Sequence, residues 1–311
     1  MITTVTLNAA IDKTYFIENF SLNRVNRTHG NVLIEPGGKG INVAKVLQQL
    51  DIPVSTTGFV GGFNGEFILN MLGQRGIHHN FLKINGESRI CLNIIDRKLN
   101  SQTEILEAGA SIPSEDWTQF KNKLENIAHN SEFVILSGSL PKGLPNDAYA
   151  ELVNLIHHAG SKSIIDTSGI PLQHVIEAKP FMIKPNEEEL LSICGRDKMS
   201  EEEIAVYTNK WNSQGIPFVV VSLGSKGVIV SAEGNAYRAS PPIIDPVNPV
   251  GSGDSLVAGI AAGLHLKLKI EDIIKMGIAA GTANALESIA GSINLSKYKQ
   301  LLNDVKVKQI K

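Results

Sequence analysis

The segment Asn248–Ser255 places glycines and a carboxylate directly before an apolar stretch. It reads Asn-Pro-Val-Gly-Ser-Gly-Asp-Ser, and the apolar residues of Leu256–Leu264 after it predict a buried helix. Glycines at the start of a helix let backbone N–H groups approach an anion closely, and the helix dipole favours negative charge there. Asp254 falls in the first turn. It could therefore deprotonate an attacking hydroxyl group beside a bound phosphate, or merely cap the helix at a tight turn.

A second glycine cluster, Gly-Gly-Lys-Gly-Ile-Asn at residues 37–42, also precedes a predicted helix. Apolar residues recur at helical spacing from Ile41 to Leu50. Close backbone approach, the Lys39 ammonium and the Asn42 amide would suit the hydroxyl groups and phosphate of a sugar phosphate. The alternative is a helix-entry turn with an exposed lysine.

Asp12 and Arg89 are charged residues next to predicted strands. Asp12 follows the first strand, at the carboxyl edge where open α/β sheets bind ligands, and could accept hydrogen bonds from sugar hydroxyl groups or cap a turn. Arg89 begins an apolar strand. Its guanidinium could hold a phosphate in a bidentate fork, or be an edge-strand charge that opposes aggregation.

Two further segments follow predicted strands. In Lys184–Glu189, Asn186 and Glu189 have the spacing of a capping box, and their oxygen atoms could instead lie near a hydrated magnesium ion. Val221–Gly227 could wrap nucleotide phosphates or form a plain hairpin, because a strand resumes at Val228. The residues alone do not decide between these alternatives.

Several common site types are excluded. The Gly-Lys pair at residues 38–39 is followed by Gly40 where a P-loop needs Ser or Thr, and no Gly-x-Gly-x-x-Gly fingerprint occurs. The eight histidines show no metal-ligand spacing, and Cys91 and Cys194 are too few for a disulfide framework or a zinc cluster.

The composition of the chain limits the classes of molecule that it could bind. The chain has 311 residues, 29 Lys and Arg against 31 Asp and Glu, and a formal net charge of −2. No basic footprint for nucleic acid or a membrane surface is present, and no apolar run approaches the roughly 18 residues of a membrane helix. The opening residues lack the pattern of a signal peptide. We expect a cytoplasmic protein in a reducing compartment, with neither nucleic acid nor membrane as a partner.

Short β-branched runs alternate with helical patterns along most of the chain, which predicts an α/β fold with a mainly parallel sheet between two layers of helices. Two strand pairs lack an intervening helix, Tyr15–Asn19 with Val32–Glu35 and Arg89–Asp96 with Thr103–Leu106. They predict a small antiparallel sheet. It could cover a reaction site as a lid or be two peripheral hairpins.

Taken together, these segments resemble the PfkB (ribokinase-like) family of sugar kinases. Its two signatures correspond to Gly37-Gly38-Lys39-Gly40-x-Asn42 and Gly251-x-Gly253-Asp254, in the order and separation seen here. The resemblance covers nearly the whole chain. It implies a three-layer ribokinase-like fold, a single kinase domain over residues 1–311 with lid strands inserted at about 12–36 and 87–107, and ATP and Mg²⁺ as cofactors.

The resemblance also implies a role for each matching residue. Asp254 would be the base, and the amides of Gly251, Ser252 and Gly253 would stabilise charge on the transferred phosphoryl group. The remaining roles fall into three groups. The sugar phosphate would be held by Asp12, Gly38, Lys39, Asn42, Arg89, Arg27 and Ser139; ATP by Lys184, Asn186, Ser222, Gly224, Gly227 and Asn284; and Mg²⁺, through water, by Asn186 and Glu189.

Within the family the chain is similar to the tagatose-6-phosphate kinases and 1-phosphofructokinases. Thr103–Glu107 and Asn248–Asp254 are closer to the former, Gly61–Gly65 and Leu144-Pro145 to the latter. We expect D-tagatose 6-phosphate as the substrate, with D-fructose 1-phosphate as the alternative, and a homodimer formed through the lid. The chain departs from the branch pattern at Ala9, where proline is usual, at Ser88, where threonine is usual, and at residues 108–110, which lack the usual Gly-Pro.

Two other functions remain open from the sequence. A kinase of the same fold could act on an unphosphorylated sugar, a carboxylated sugar or a nucleoside, and Arg89 discriminates because only a phosphorylated substrate needs it. A non-enzymatic sugar-phosphate sensor would not need Asp254.

Overall fold

The structure, a computed structural model, describes residues 1–28 and 30–310. Its fifteen strands are β1 (Ile2–Thr6), β2 (Ala10–Ile17), β3 (Leu33–Gly37), β4 (Val54–Gly61), β5 (His78–His79), β6 (Leu82–Ile84), β7 (Arg89–Asp96), β8 (Ser101–Leu106), β9 (Phe133–Ser137), β10 (Lys162–Asp166), β11 (Met182–Ile183), β12 (Phe218–Ser222), β13 (Val228–Ala232), β14 (Asn235–Ser240) and β15 (Lys306–Ile310).

Ten α-helices accompany them. They are α1 (Lys39–Gln49), α2 (Gly62–Gln74), α3 (Ser114–Ala128), α4 (Ala148–His158), α5 (Gly169–Glu177), α6 (Glu187–Cys194), α7 (Glu201–Ser213), α8 (Ser252–His265), α9 (Ile270–Ala285) and α10 (Leu295–Asp304). A single 3₁₀ turn occupies Gly224–Lys226. No helix in the described part of the chain is both long and apolar enough to span a bilayer.

The large sheet has two regions. From β12 through β11, β10, β9 and β1 to β4, every neighbouring pair is parallel, and β5 and β6 also pair with β4 in parallel. The strands β13, β14 and β15 extend the other side of β12 as antiparallel neighbours. Because the central strands are parallel, their carboxyl ends meet at one edge, where ligands bind in open α/β sheets.

Helices cover both faces of this sheet. Alternate residues of β9 point to opposite sides, so Phe133 and Ile135 pack with α1, α8 and α9, while Val134 and Leu136 pack with α3 and α4. Strands buried on both faces explain the continuous apolar runs in the sequence. The predicted three-layer α/β architecture is confirmed.

The small sheet is separate, with the strand order β3-β2-β7-β8, and we call it the lid. Its outer pairs, β2 with β3 and β7 with β8, are antiparallel as predicted, whereas the central pair β2 with β7 is parallel. The direction of the chain explains this parallel pair. Strand β2 follows β1, and β7 follows β6, so both strands run from the large sheet into the lid in the same direction.

Boundaries differ from the predicted ones in several places. Strand β2 begins at Ala10 rather than Tyr15, and Asn19 has a φ of 57°, which ends the extended run. Helical patterns near Gly65–Arg75, Asp147–His157, Pro171–Ile176 and Glu187–Ile193 predict α2, α4, α5 and α6, whereas no helix is predicted from the sequence at α3, α7, α9 or α10.

Candidate active site

A cavity of about 620 Å³ lies between the carboxyl edge of the large sheet and the lid. The ends of β1, β9, β10 and β12 contribute Thr6, Ser137, Asp166 and Ser222 to its wall. Glycine-rich turns before α1 and α8 close the same side, and the lid closes the other. The two sequence motifs, more than 200 residues apart, therefore meet in one cavity.

Asp254 lies in the first turn of α8 and is 6 % exposed. Its Oδ2 accepts a hydrogen bond of 2.9 Å from Nδ2 of Asn42, on α1. Burial raises the pKa of the Asp254 carboxyl to about 6, with Asp166 adding to the rise and Lys39 and Lys184 opposing it. A carboxylate with its pKa close to neutrality, at the wall of a cavity, is a suitable proton acceptor.

The floor of the cavity holds an ion cluster of two predicted site residues, Lys39 and Lys184, and one carboxylate that the sequence analysis missed, Asp166. Asp166, fully buried at the end of β10, accepts from Nζ of Lys39 at 3.3 Å and lies 3.2 Å from Nζ of Lys184. Burial alone would raise the pKa of Asp166, but the two ammonium groups outweigh it and lower that pKa. Asp166 in turn raises the pKa of Lys39. The carboxylate therefore keeps two positive charges fixed at the floor.

The turn before α8 presents backbone N–H groups to the cavity. Gly251 has a φ of 81°, and a Cβ there would come within 2.9 Å of Ala290, so only glycine fits this close turn. The N–H of Ser252 donates to the carbonyl of Pro249 at 3.1 Å. Among the described residues, the N–H groups of Gly251 and Gly253 have no acceptor. Two of the three predicted anion-binding amides are therefore available, and that of Ser252 is used within the turn.

Asn284 supports this turn instead of lining the cavity. It is fully buried on α9, where its Nδ2 donates to the carbonyl of Val250 at 2.8 Å and its Oδ1 accepts from Ser255 Oγ and from the N–H of Gly291. The resemblance implied a contact with the nucleotide. In the structure, Asn284 instead holds the loop that precedes Asp254.

The glycines before α1 are needed for close approach to other groups. A Cβ on Gly37 would lie 2.1 Å from Asp12 Cγ, and one on Gly40 would lie 2.5 Å from Thr6 Oγ1. Gly38 has a φ of 98° and approaches Thr6 in the same way. Close packing of α1 against β1 and β2 thus accounts for the motif, and it also brings Lys39 and Asn42 to the cavity.

The lid contributes Arg89 and Asp12. Arg89 donates from Nε to the carbonyl of Asn8 and from Nη1 to that of Glu107, both at 3.2 Å, so two of its five N–H donors are used. Burial raises the pKa of Asp12, opposed by Lys45 and Arg89. Ser139 lines the wall near Arg89, and Asn8 Nδ2 lies 3.5 Å from its Oγ. Arg27 is exposed on the loop between β2 and β3 and does not line the cavity among the described residues.

The remaining predicted residues lie around Lys184. Asn186 and Glu189 form a reciprocal capping box on α6, with Asn186 Oδ1 accepting at 2.7 Å and Glu189 Oε2 accepting at 2.9 Å. Asn186 and Ser222 line the cavity and form an isolated bridge between their strand ends. Gly224 and Gly227 belong to the 3₁₀ turn and its end, beyond the cavity wall.

The chemistry around Asn186 suits a magnesium ion held mainly by other ligands. No cluster of three or more His, Cys, Asp or Glu side chains able to hold a metal occurs in residues 1–28 and 30–310. Capping uses one carboxylate oxygen of Glu189, and each carboxylate has two. Amide and carboxylate oxygens are ligands that Mg²⁺ accepts, usually with several waters and substrate phosphates.

Polar groups without protein partners concentrate at the cavity. Six buried side-chain atoms in the described part of the chain have no hydrogen-bond partner, and four of them belong to cavity-lining residues. The four are Thr6 Oγ1, Asn42 Oδ1, Asn93 Oδ1 and Ser137 Oγ. Because buried polar atoms are normally satisfied, this concentration indicates a ligand with several hydrogen-bonding groups.

The pKa of Asp254 gives a pH dependence. A reaction that needs Asp254 as a proton acceptor requires its ionised form, so kcat/KM should fall about tenfold per pH unit below pH 6 and level off above it. A pH–rate profile from pH 4.5 to 8, on protein shown by circular dichroism to be folded throughout, checks this. A rate independent of pH across 5 to 7 would contradict the assignment.

Comparison with known proteins adds three findings. A family described as "pfkB family carbohydrate kinase" matches residues 5–296. A "putative phosphofructokinase" from Staphylococcus aureus is 32% identical over 100% of this chain and 99% of its own, with a TM-score of 0.85. A "possible 1-phosphofructokinase" from Thermotoga maritima is 28% identical over 100% of both chains, with a TM-score of 0.90.

The fold is shared more widely. Phosphofructokinase-2 from Escherichia coli, solved in complex with potassium, gives a TM-score of 0.91 over 97% of this chain and 98% of its own. Its identity is 24%, so this likeness concerns the fold alone.

Proposed function

The chain belongs to the pfkB family of carbohydrate kinases, and from that premise we propose that it transfers a phosphoryl group from ATP to a hydroxyl group of a ketohexose phosphate. One observation carries the proposal. Asp254, with a pKa of about 6, adjoins the unpartnered N–H groups of Gly251 and Gly253 and shares the cavity with Arg89. A base, an anion site and a cation for a second phosphate are the groups that this reaction needs.

Each residue then has a defined task. Asp254 accepts the proton of the attacking hydroxyl group, and the hydrogen bond from Asn42 fixes the direction in which its carboxylate points. The N–H groups of Gly251 and Gly253 and the ammonium groups of Lys39 and Lys184 stabilise negative charge on the transferred phosphoryl group. These charges are fixed before substrate binds, because Asp166 holds both lysines.

ATP and Mg²⁺ are part of the proposal. Lys184, Asn186 and Ser222 form the wall beyond Asp166, and we assign the nucleotide phosphates to it. Magnesium would supply positive charge to those phosphates, with Asn186 and Glu189 reaching it through water. Gly224 and Gly227 place the 3₁₀ turn next to this wall, where the nucleoside would follow. Asn284 holds the turn before α8 through its hydrogen bond to the carbonyl of Val250.

The substrate that we propose first is D-tagatose 6-phosphate, on the basis of the segments Thr103–Glu107 and Asn248–Asp254. Asp12 and Asn42 would hold sugar hydroxyl groups, with Gly38 and Ser139 beside them, and Arg89 would hold the phosphate. The second candidate is D-fructose 1-phosphate. It is favoured by the segments Gly61–Gly65 and Leu144-Pro145 and by the name of the Thermotoga protein.

The test is coupled ADP release with Mg·ATP on D-tagatose 6-phosphate, D-fructose 1-phosphate and D-fructose 6-phosphate. We expect one of them to exceed the others in kcat/KM by about tenfold or more, which corresponds to about 1.4 kcal/mol of transition-state binding. A preference for D-fructose 1-phosphate would replace the first candidate by the second. No turnover of any of the three by folded, ATP-binding protein would overturn the substrate class.

We also propose a homodimer formed through the lid. On the outer strands of the lid, Ile34 of β3 and Ile105 of β8 do not line the cavity, and they are 42 % and 52 % exposed. Exposed apolar side chains on a sheet favour pairing with another copy. Size-exclusion chromatography with light scattering should give twice the 33.6 kDa chain mass. The variant Ile105→Lys should give a monomer, and a monomeric wild-type protein at micromolar concentration would refute the dimer.

A further inference from the structure

The cavity side of the lid carries a residue to which no role has been assigned so far. Because side chains alternate along a strand, Arg89, Cys91 and Asn93 of β7 point to the same face, and all three line the cavity. Arg89 is nearest the core sheet and Asn93 is four residues further along the lid, roughly 13 Å at the rise of a strand. The lid thus offers a sequence of different chemical groups along the cavity.

Asn93 is a buried amide whose side-chain oxygen lacks a hydrogen-bond partner in the described part of the chain. It is 8 % exposed, and no group in residues 1–28 and 30–310 donates a hydrogen bond to its Oδ1. Rotation about the Cβ–Cγ bond of Asn93 would exchange the positions of Oδ1 and Nδ2, and it would break no hydrogen bond to Oδ1. Burial of an amide removes its hydrogen bonds to water, and this loss destabilises the folded protein unless other hydrogen bonds replace them. Arg89, by contrast, is already held by two carbonyl groups.

The neighbours of Asn93 decide what it can bind. Its partners across the lid are Thr14 on β2 and Glu104 on β8, and both line the cavity. Glu104 is close enough to Asp12 to raise the pKa of that carboxyl. A phosphate group would meet carboxylates here and be repelled. A hydroxyl group, which donates to a carboxylate and exchanges a hydrogen bond with an amide, fits all three side chains.

On β7 and β8, the groups between Arg89 and Asn93 are poor hydrogen-bonding partners, whereas Asp12 on β2 lies opposite Cys91. Cys91 pairs across the lid with Leu106, and both line the cavity. Burial raises the pKa of the Cys91 thiol to about 11, so it stays neutral and is only a weak donor. A ligand that runs along the lid from Arg89 therefore meets Asp12 first, and then Asn93 with its cross-strand neighbours Thr14 and Glu104.

We propose that Asn93, with Glu104 beside it, binds one hydroxyl group of the sugar and is a specificity-determining residue of this kinase. The inference rests on the proposed function, since it takes the substrate to be a sugar phosphate whose phosphate lies at Arg89. With the phosphate held at one place and a hydroxyl group at the other, the lid fixes the orientation of the sugar over Asp254. The hydroxyl group presented to the base then follows from these two contacts.

The experiment combines a variant with substrate analogues. Asn93→Leu removes the amide at similar size, and kcat/KM is measured for the preferred ketohexose phosphate and for each monodeoxy analogue that keeps the hydroxyl group to be phosphorylated. We expect Asn93→Leu to lower kcat/KM for the parent at least tenfold, because an unmatched hydroxyl group is rejected by an apolar site. For the one analogue that lacks the hydroxyl group bound by Asn93, wild type and variant should agree within about threefold.

The control is Asn122→Leu, the same chemical change at an exposed residue of α3 that does not line the cavity. It should leave every rate within about twofold. If Asn93→Leu does not fold, Asn93→Ala serves the same test without the branched side chain. An equal loss on the parent and on all analogues, or no loss on the parent, overturns the inference. Failure of the proposed function is distinguishable, because the wild-type protein would then phosphorylate none of the parent sugars.

Discussion

Replacement of Asp254 by asparagine should lower kcat by about 10²–10⁴-fold, the range typical of general acid–base catalysis. Asparagine has the size of aspartate and can still accept a hydrogen bond from Asn42, but it cannot take a proton from the attacking hydroxyl group. The anion site of Gly251 and Gly253 does not depend on the carboxylate. Binding of ATP, measured by calorimetry, should therefore stay within about threefold of wild type, while coupled ADP release nearly stops.

The same variant should fold at least as well as wild type at pH 7. Burial raises the pKa of Asp254 from 3.8 to about 6. The carboxyl therefore contributes stability below pH 4 that is lost as the pH rises through 6. At pH 7 the buried charge is a cost, on the order of 2–3 kcal/mol at 1.36 kcal/mol per pKa unit. Asparagine removes that cost, so urea unfolding should give an equal or higher midpoint.

A matched control separates catalysis from charge. Asp272 is an exposed carboxylate in the first turn of α9, the helix that packs on α8. Asp272→Asn makes the same chemical change and should leave kcat within about twofold. Wild-type turnover by Asp254→Asn would refute the role of the base. An unfolded variant would contradict the stability argument instead.

The parallel core was predictable because its signals are local. Each central strand is buried on both faces, so its sequence is a short apolar run. In the helices between the strands, apolar residues recur at helical spacing. Even the lid strands could be located within a few residues. The parallel pairing of β2 with β7 could not be predicted, since it depends on where two segments 79 residues apart leave the core.

The site was partly predictable for a similar reason. Asp254, Lys39 and Arg89 stand in motifs with their own spacing, and the carboxyl ends of parallel strands must meet. For Asp166 the sequence predicts only the end of a strand, Ser163–Asp166, because the role of this carboxylate depends on two lysines, one 127 residues before it and one 18 residues after it. Lys45, buried beneath the lid with its Nζ 3.4 Å from the carbonyl of Pro36, gave no sequence signal beyond an interrupted apolar face.

Replacement of Arg89 by methionine is expected to have the second large effect. Loss of one partner of a buried charged pair costs about 2–5 kcal/mol, so kcat/KM for the sugar phosphate should fall roughly 30-fold to several thousand-fold. Arg89→Lys keeps the positive charge but loses the planar guanidinium fork, so its kcat/KM should lie between the values for wild type and Arg89→Met. The exposed Arg97, also on the lid side, gives the matched control Arg97→Met, for which we expect less than about a twofold change.

The effect of Arg89→Met on the unphosphorylated ketohexose shows whether Arg89 binds the phosphate or only supports the lid. Arg89 also ties the lid to the core, through the carbonyl groups of Asn8 and Glu107. If its role were only to hold these, Arg89→Met would slow the phosphorylated and unphosphorylated sugars by the same factor. If it holds the phosphate, the weak turnover of the unphosphorylated sugar should change less than about fivefold while that of the sugar phosphate collapses. The ratio of the two losses therefore measures phosphate recognition itself, and a ratio near one would favour a kinase for an unphosphorylated substrate.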